Sequence, residues 1–122
     1  NDEEAKKLTR QTNALRAANT ICEWGPSIVV IKKGEHGALL KVGRKTYAFP
    51  AFPLDTVKDP TGAGDTFAGG FMGYLTSCGG YEDVAQLKRA MLFGTVMASF
   101  TVEEFSTRAL EDIKRGYLHA RF

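Results

Sequence analysis

An α/β layer, rather than a helical bundle, is the fold class the sequence predicts. Three observations predict it: helical periodicity between Asp2 and Trp24, three short β-rich runs between Ser27 and Phe49, and renewed helical periodicity from Ala63 onward. Apolar residues at Ala5, Leu8, Leu15, Ala18, Ile21 and Cys22 mark one short and one longer helix, with a break near Thr9 to Thr12. After Gly25-Pro26, the run Ser27-Ile28-Val29-Val30-Ile31-Lys32 is β-branched and almost uninterrupted, the pattern of a central strand covered on both faces. Lys33 to Gly37 forms a turn. Ala38–Val42 and Arg44–Phe49 then alternate as two strands around a tight turn at Gly43, giving a β-meander that Pro50 and Pro53 close.

From Ala63 to about Ser77, Phe67, Phe71, Tyr74, Leu75 and Cys78 recur at helical spacing, beside a side-chain-free strip of Gly69, Gly70 and Gly73. Each internal glycine costs a helix about 1 kcal/mol relative to alanine. Three of them imply close backbone approach by another element. Glu82 to Phe100 reads as a second amphipathic helix and Thr107 to about His119 as a third, buried through Leu110, Ile113, Tyr117 and Leu118.

The 122 residues allow one domain. Sixteen basic residues against fourteen acidic leave a net charge of +2, so no strong field draws the chain to nucleic acid or an anionic membrane. The longest uncharged stretch, Thr66 to Tyr81, is too short and too glycine-rich to span a bilayer. No basic-then-apolar leader opens the chain, so a cytoplasmic location is the expectation. Cys22 and Cys78 match no metal or redox spacing and receive no function. His36 reads as a surface residue, Trp24 as packing at a helix end, and His119 and Arg121 as a frayed terminus.

Chemistry concentrates in Asp59-Pro60-Thr61-Gly62-Ala63-Gly64-Asp65-Thr66-Phe67-Ala68-Gly69-Gly70. Pro60 extends Asp59, and the glycines admit backbone geometry closed to other residues. A helix then begins near Gly64. Successive amides at such a start form an anion pocket, because the helix leaves them unsatisfied and its dipole is positive there. A Walker A loop is excluded, since no lysine occurs between Asp59 and Gly80; the dinucleotide fingerprint is excluded by Phe67 in place of its third glycine. Asp65 inside the pocket would repel a phosphate that was merely bound. It would serve catalysis by orienting and deprotonating an attacking hydroxyl. Taken alone, it is equally a stabilising acid in a helix first turn.

Asp59 to Gly70 resembles the C-terminal signature of the ribokinase-like (PfkB) carbohydrate kinases. Asn1-Asp2-Glu3-Glu4 resembles that family's Asn-x-x-Glu element, Val30 to Ala38 its strand and nucleotide-side turn, and Ala98-Ser99-Phe100 to Ser106 its late loop. The resemblance implies ATP-dependent phosphoryl transfer to a sugar or sugar-like hydroxyl, with a nucleoside acceptor as the alternative, and a non-catalytic nucleotide-binding regulatory module as the reading from another class. It implies Asp65 as catalytic base and the amides of Gly62, Ala63, Gly64 and Asp65 as the anion hole. Asn1 and Glu4 are placed near Mg²⁺ and the phosphates, Glu4 through water. Lys32, Gly34, Glu35 and Gly37 border the nucleotide, and Phe93 lies near adenine. Asp59 and Thr61, with main-chain oxygens around Ser99 and Val102, correspond to a monovalent cation site for K⁺. Glu103-Glu104-Phe105-Ser106 departs from the small residues the family has there.

The fold implied is the C-terminal part of a three-layer α/β/α kinase with an incomplete central sheet, residues 1–122 carrying the nucleotide and catalytic portion. No segment reads as an acceptor pocket or lid. The expected partners are therefore the small acceptor and a missing N-terminal part, with a homodimer compatible and neither nucleic acid nor membrane required. A free edge at Ile28 to Ile31 would expose apolar surface unless another segment covers it.

Overall fold

The computed structural model describes residues 1–103 and 120–121. It divides into two compact units, Asn1–Ala51 and Phe52–Phe122. The expected helix over Thr107 to His119 and the stretch Glu104 to Ser106 lie outside the described residues.

The first unit opens with α1 (Asp2–Thr9) and α2 (Ala14–Glu23). Asn1 caps α1, its side-chain oxygen accepting from the Glu4 amide at 2.9 Å. Arg10, left-handed at φ 56°, ends that helix, and Asn13 caps the next by accepting from the Arg16 amide at 2.9 Å. Their buried faces are alanine rather than leucine. Ala5, Ala17 and Ala18 pack with Val29 and Ile31, whereas Leu8 and Leu15 are 67% and 47% exposed. Small side chains let the helices lie close to the strand, and the leucines fall on the outer side. Trp24 is likewise exposed rather than packed.

The meander forms as expected: β1 (Ile28–Lys32), β2 (Ala38–Val42) and β3 (Lys45–Phe49) pair antiparallel in that order, with Val30 opposite Leu40 and Leu40 opposite Tyr47. β1 is an edge strand among the described residues, with the free edge expected at Ile28 to Ile31. Its burial alternates, Val29 and Ile31 facing inward, because one face meets the helices and the other is only half covered. Gly37 is obligatory. At φ 87° it closes the turn after β1, and a Cβ there would collide with the Phe49 carbonyl oxygen.

The second unit is built on α3 (Ala63–Ser77) and α4 (Val84–Glu103). Asp83 starts α4, its carboxylate accepting from the Ala85 amide at 2.9 Å. The helices approach through glycine, but only one member of the predicted strip takes part. A Cβ on Gly70 would stand 2.8 Å from Met97 Cγ and 3.2 Å from the Gly94 Cα, while Gly69 and Gly73 face open space. Gly94, on α4, completes the crossing: its Cβ would meet the Phe67 carbonyl oxygen at 2.8 Å. Cys78 is exposed, outside the face assigned to it. α4 continues past Phe100 to Glu103, because Thr101 is fully buried and bonded to α3; Ser99 and Val102 are thus helical rather than in a loop. No described helix is long and apolar enough to cross a membrane.

Candidate active site

The loop entering α3 is organised by its own side chains. Asp59 Oδ1 accepts from the Thr61 amide at 2.9 Å, and hydrogen bonding from Thr61, its side chain first and this amide second, holds the Asp59 carboxyl below the usual carboxylate range. Gly62, at φ 81°, turns the chain into the helix as a cap without a side-chain partner. Thr66 returns to it twice, its amide donating to the Gly62 carbonyl at 2.9 Å and its hydroxyl at 3.0 Å. The hydroxyl of buried Thr101 in turn donates to Thr66 Oγ1 at 2.9 Å, tying the catalytic-loop candidate to the end of α4.

Four amides were expected to form the anion hole, and the geometry separates them. The Ala63 amide is engaged by the Pro60 carbonyl at 3.1 Å, which makes it a hinge of the turn rather than an open donor. The Gly62 and Asp65 amides have no carbonyl partner among the described residues. Gly64 lies between them in the first turn. Asp65 is exposed one residue beyond Gly64, and no described residue hydrogen-bonds or pairs with its carboxylate. An uncommitted acid thus stands beside the positive end of a 15-residue helix.

Phe93, half-buried on α4, packs against Tyr74 of α3 with ring centroids 5.5 Å apart. The residues expected around a monovalent cation are partly brought together: the Val102 carbonyl accepts from the amides of Lys58 at 2.8 Å and Asp59 at 3.4 Å. Arg121, expected to fray, instead docks on the last turn of α4, donating to Ser99 Oγ and Glu103 Oε2, each at 2.9 Å. Sequence patterning offered no signal for that contact, since a lone arginine near a chain end has no period. Thr66 and Thr101 were also missed, although a threonine in a helix first turn is a recognisable back-bonder.

In the first unit, Asn1 and Glu4 form a capping box: Asn1 Oδ1 takes the Glu4 amide, and the Asn1 backbone nitrogen donates to Glu4 Oε2 at 2.8 Å. The turn after β1 is closed by the Lys33 amide donating to the Gly37 carbonyl at 2.7 Å, with Gly34 at φ 57° and Glu35 exposed. His36 lies on the surface, 3.5 Å from Glu35. Among the described residues no three His, Cys, Asp or Glu side chains converge on a metal-sized space.

A family model described as pfkB family carbohydrate kinase matches residues 1–114. The chain is 43% identical over 74 residues to a cytidine kinase of Thermococcus kodakarensis, covering 59% of this chain and 26% of that protein. It is 34% identical over 108 residues to a nucleoside kinase of Methanothermobacter thermautotrophicus, covering 88% and 30% respectively. In fold it superposes on a fructokinase of Vibrio cholerae, solved with fructose, ADP and potassium ion, at a TM-score of 0.88 and 22% identity, over 98% of this chain and 38% of that one. The chain thus spans well under half the length of these proteins. With the expected helix-loop junction and α/β layering both in place, the match over nearly all of its length shows that the chain belongs to the pfkB family of carbohydrate kinases.

Proposed function

We propose that residues 1–122 are the C-terminal, nucleotide-binding and catalytic portion of an ATP-dependent kinase that phosphorylates a hydroxyl of a sugar or sugar-like acceptor. The observation that carries this reading is Asp65, an exposed and uncommitted carboxylate in the first turn of α3 beside the Gly62 and Asp65 amides. As the acceptor oxygen bonds to the γ-phosphorus, its proton passes to Asp65, the β–γ bridging bond breaks, and ADP leaves with the electron pair. The amides of Gly62, Gly64 and Asp65, reinforced by the helix dipole, hold the charge that develops on the transferring group. Ala63 contributes by fixing the turn through its bond to Pro60. A purely binding module would gain nothing from a carboxylate beside phosphate.

Lys32, Gly34, Glu35 and Gly37 border the nucleotide and Phe93 lies toward the base in this reading, with Asn1 near the phosphates. Mg²⁺ fits through water rather than through a protein cage: Glu4 is an exposed acid, and no acidic cluster replaces it among the described residues. The ion would supply charge neutralisation across the phosphates. A nucleoside acceptor is the second reading, favoured by the 43% identity to a cytidine kinase.

The test is Asp65→Asn in the polypeptide that carries both this chain and an acceptor pocket, with sugars and nucleosides as acceptors. The general-base role predicts a fall in kcat of about 10²- to 10⁴-fold with ATP affinity retained. Unchanged turnover would remove Asp65 from the mechanism.

A further inference from the structure

We propose that Arg121 supplies, from within the chain, the fixed positive charge at the Asp59 loop and α4 junction that a monovalent cation would otherwise provide, so that catalysis does not depend on K⁺. The proposal rests on the kinase reading above for its consequence, not for its geometry.

The oxygens expected to hold a potassium ion do not fit one. The Val102 carbonyl already accepts two amides, from Lys58 and Asp59. A carbonyl has two lone pairs, so its capacity is used. Asp59 Oδ1 is committed to the Thr61 amide. Ser99 lies a full turn inside α4, where main-chain carbonyls belong to the helix ladder, and its hydroxyl donates to the Val96 carbonyl at 2.5 Å while accepting from Arg121 Nη1 at 2.9 Å. The Val102 carbonyl, the Ser99 hydroxyl and Asp59 Oδ1 each face an N–H donor where a bare cation would need an open oxygen, and the Thr61 side chain is turned to Asp59, which leaves the second Asp59 oxygen without an open main-chain partner from Val102.

A cationic group is nevertheless built into the same turn. The Arg121 guanidinium bonds Ser99 with one arm and Glu103 with the other, and its side chain is only 21% exposed. Its carbon stands 3.9 Å from the Phe100 ring centroid and 5.0 Å from that of Phe52. Two aromatic faces, one hydroxyl and one carboxylate are a full set of partners for a planar delocalised cation, and the aromatic faces suit it better than a small hydrated one. Phe52 begins the segment that leads to Lys58 and Asp59, and Glu103 follows Val102. The guanidinium therefore grips both sides of the junction from which the Asp59 to Asp65 loop hangs. Arg121 acts as a positioning residue, and Glu103, which departs from the small residues of the family at this point, is its counter-ion.

The experiment compares equal concentrations of KCl and tetramethylammonium chloride, in wild type, Arg121→Ala and Arg121→Met. Two readouts are taken: the melting temperature of the protein, and turnover in the polypeptide that carries the acceptor pocket. Wild type is expected to melt at the same temperature and turn over within about twofold in the two salts, since general screening is matched. Arg121→Ala and Arg121→Met are expected to lose on the order of tenfold to a hundredfold in kcat in tetramethylammonium, the worth of charge-assisted hydrogen bonds. Guanidinium ion added at low concentration should restore part of that loss; urea at the same concentration should not. A wild-type melting temperature or rate that rises selectively with K⁺ would overturn the proposal. So would variants with unchanged turnover, or variants slowed without rescue by guanidinium. If the alanine variant does not fold, the methionine variant and the wild-type salt comparison decide the matter. If no form phosphorylates any sugar or nucleoside, the kinase reading falls, while the melting temperatures still judge the charge assignment.

Discussion

Asp59 and Asp65, six positions apart on the same loop, are acids with opposite duties. Asp59 is spent on architecture: its carboxylate caps the Thr61 amide, and hydrogen bonding from the Thr61 side chain, then from that amide, lowers its pKa. A depressed folded pKa means the contribution is present above the unfolded value and is lost as pH falls through the folded one. Asp59→Asn keeps an oxygen for the amide but discards the charge. Wild type should therefore melt above this variant near neutral pH, and the difference should close as the pH drops below about 4. A difference that stays constant with pH would show that the charge is irrelevant. Asp65 has no such commitment among the described residues, so its loss is expected chiefly in rate, with a change in stability no larger than the roughly 0.3–1 kcal/mol of an acid at a helix start. The identity of the loop was legible from its letters. The engagement of the Ala63 amide was not, because a turn bond to Pro60 depends on backbone angles that composition does not specify.

At the scale of elements, periodicity located every described helix and strand to within a few residues, and the largest miss was the end of α4. Buried Thr101, held by the Thr66 hydroxyl, extends that helix to Glu103. Tertiary contact decided where local propensity was neutral. The glycines of α3 show the same limit, since the chain alone cannot distinguish one at a helix crossing from one facing solvent. Gly73→Ala, in open space, should stabilise the protein by about 1 kcal/mol through helix propensity. Gly94→Ala should instead destabilise by roughly 1–3 kcal/mol, as the new methyl group meets the Phe67 carbonyl, a backbone atom that cannot rotate away. Thermal denaturation of the pair checks both signs. Equal shifts would mean that α3 and α4 do not cross at these residues.

In the proposed function the chain carries the donor half of a kinase, and it spans 38% of the fructokinase it resembles in fold. On the proposed reading, the isolated 122 residues should transfer no phosphate to a sugar or nucleoside, and a coupled ADP-release assay on that chain against a longer polypeptide checks this. Turnover by the short chain would place the acceptor site within it. At this scale β1 stands as the free edge expected of Ile28 to Ile31, while the interior position that four β-branched residues suggest depends on neighbours that the run itself does not encode. Its position has a cost during synthesis. Ile28-Val29-Val30-Ile31 carries neither charge nor proline, and one row of its backbone donors and acceptors meets no other described strand. Any ribosome-released or clipped form in which nothing lies along that row offers a template for stacking like upon like, as amyloid-forming segments do, with Lys32 as the only gatekeeper at its end.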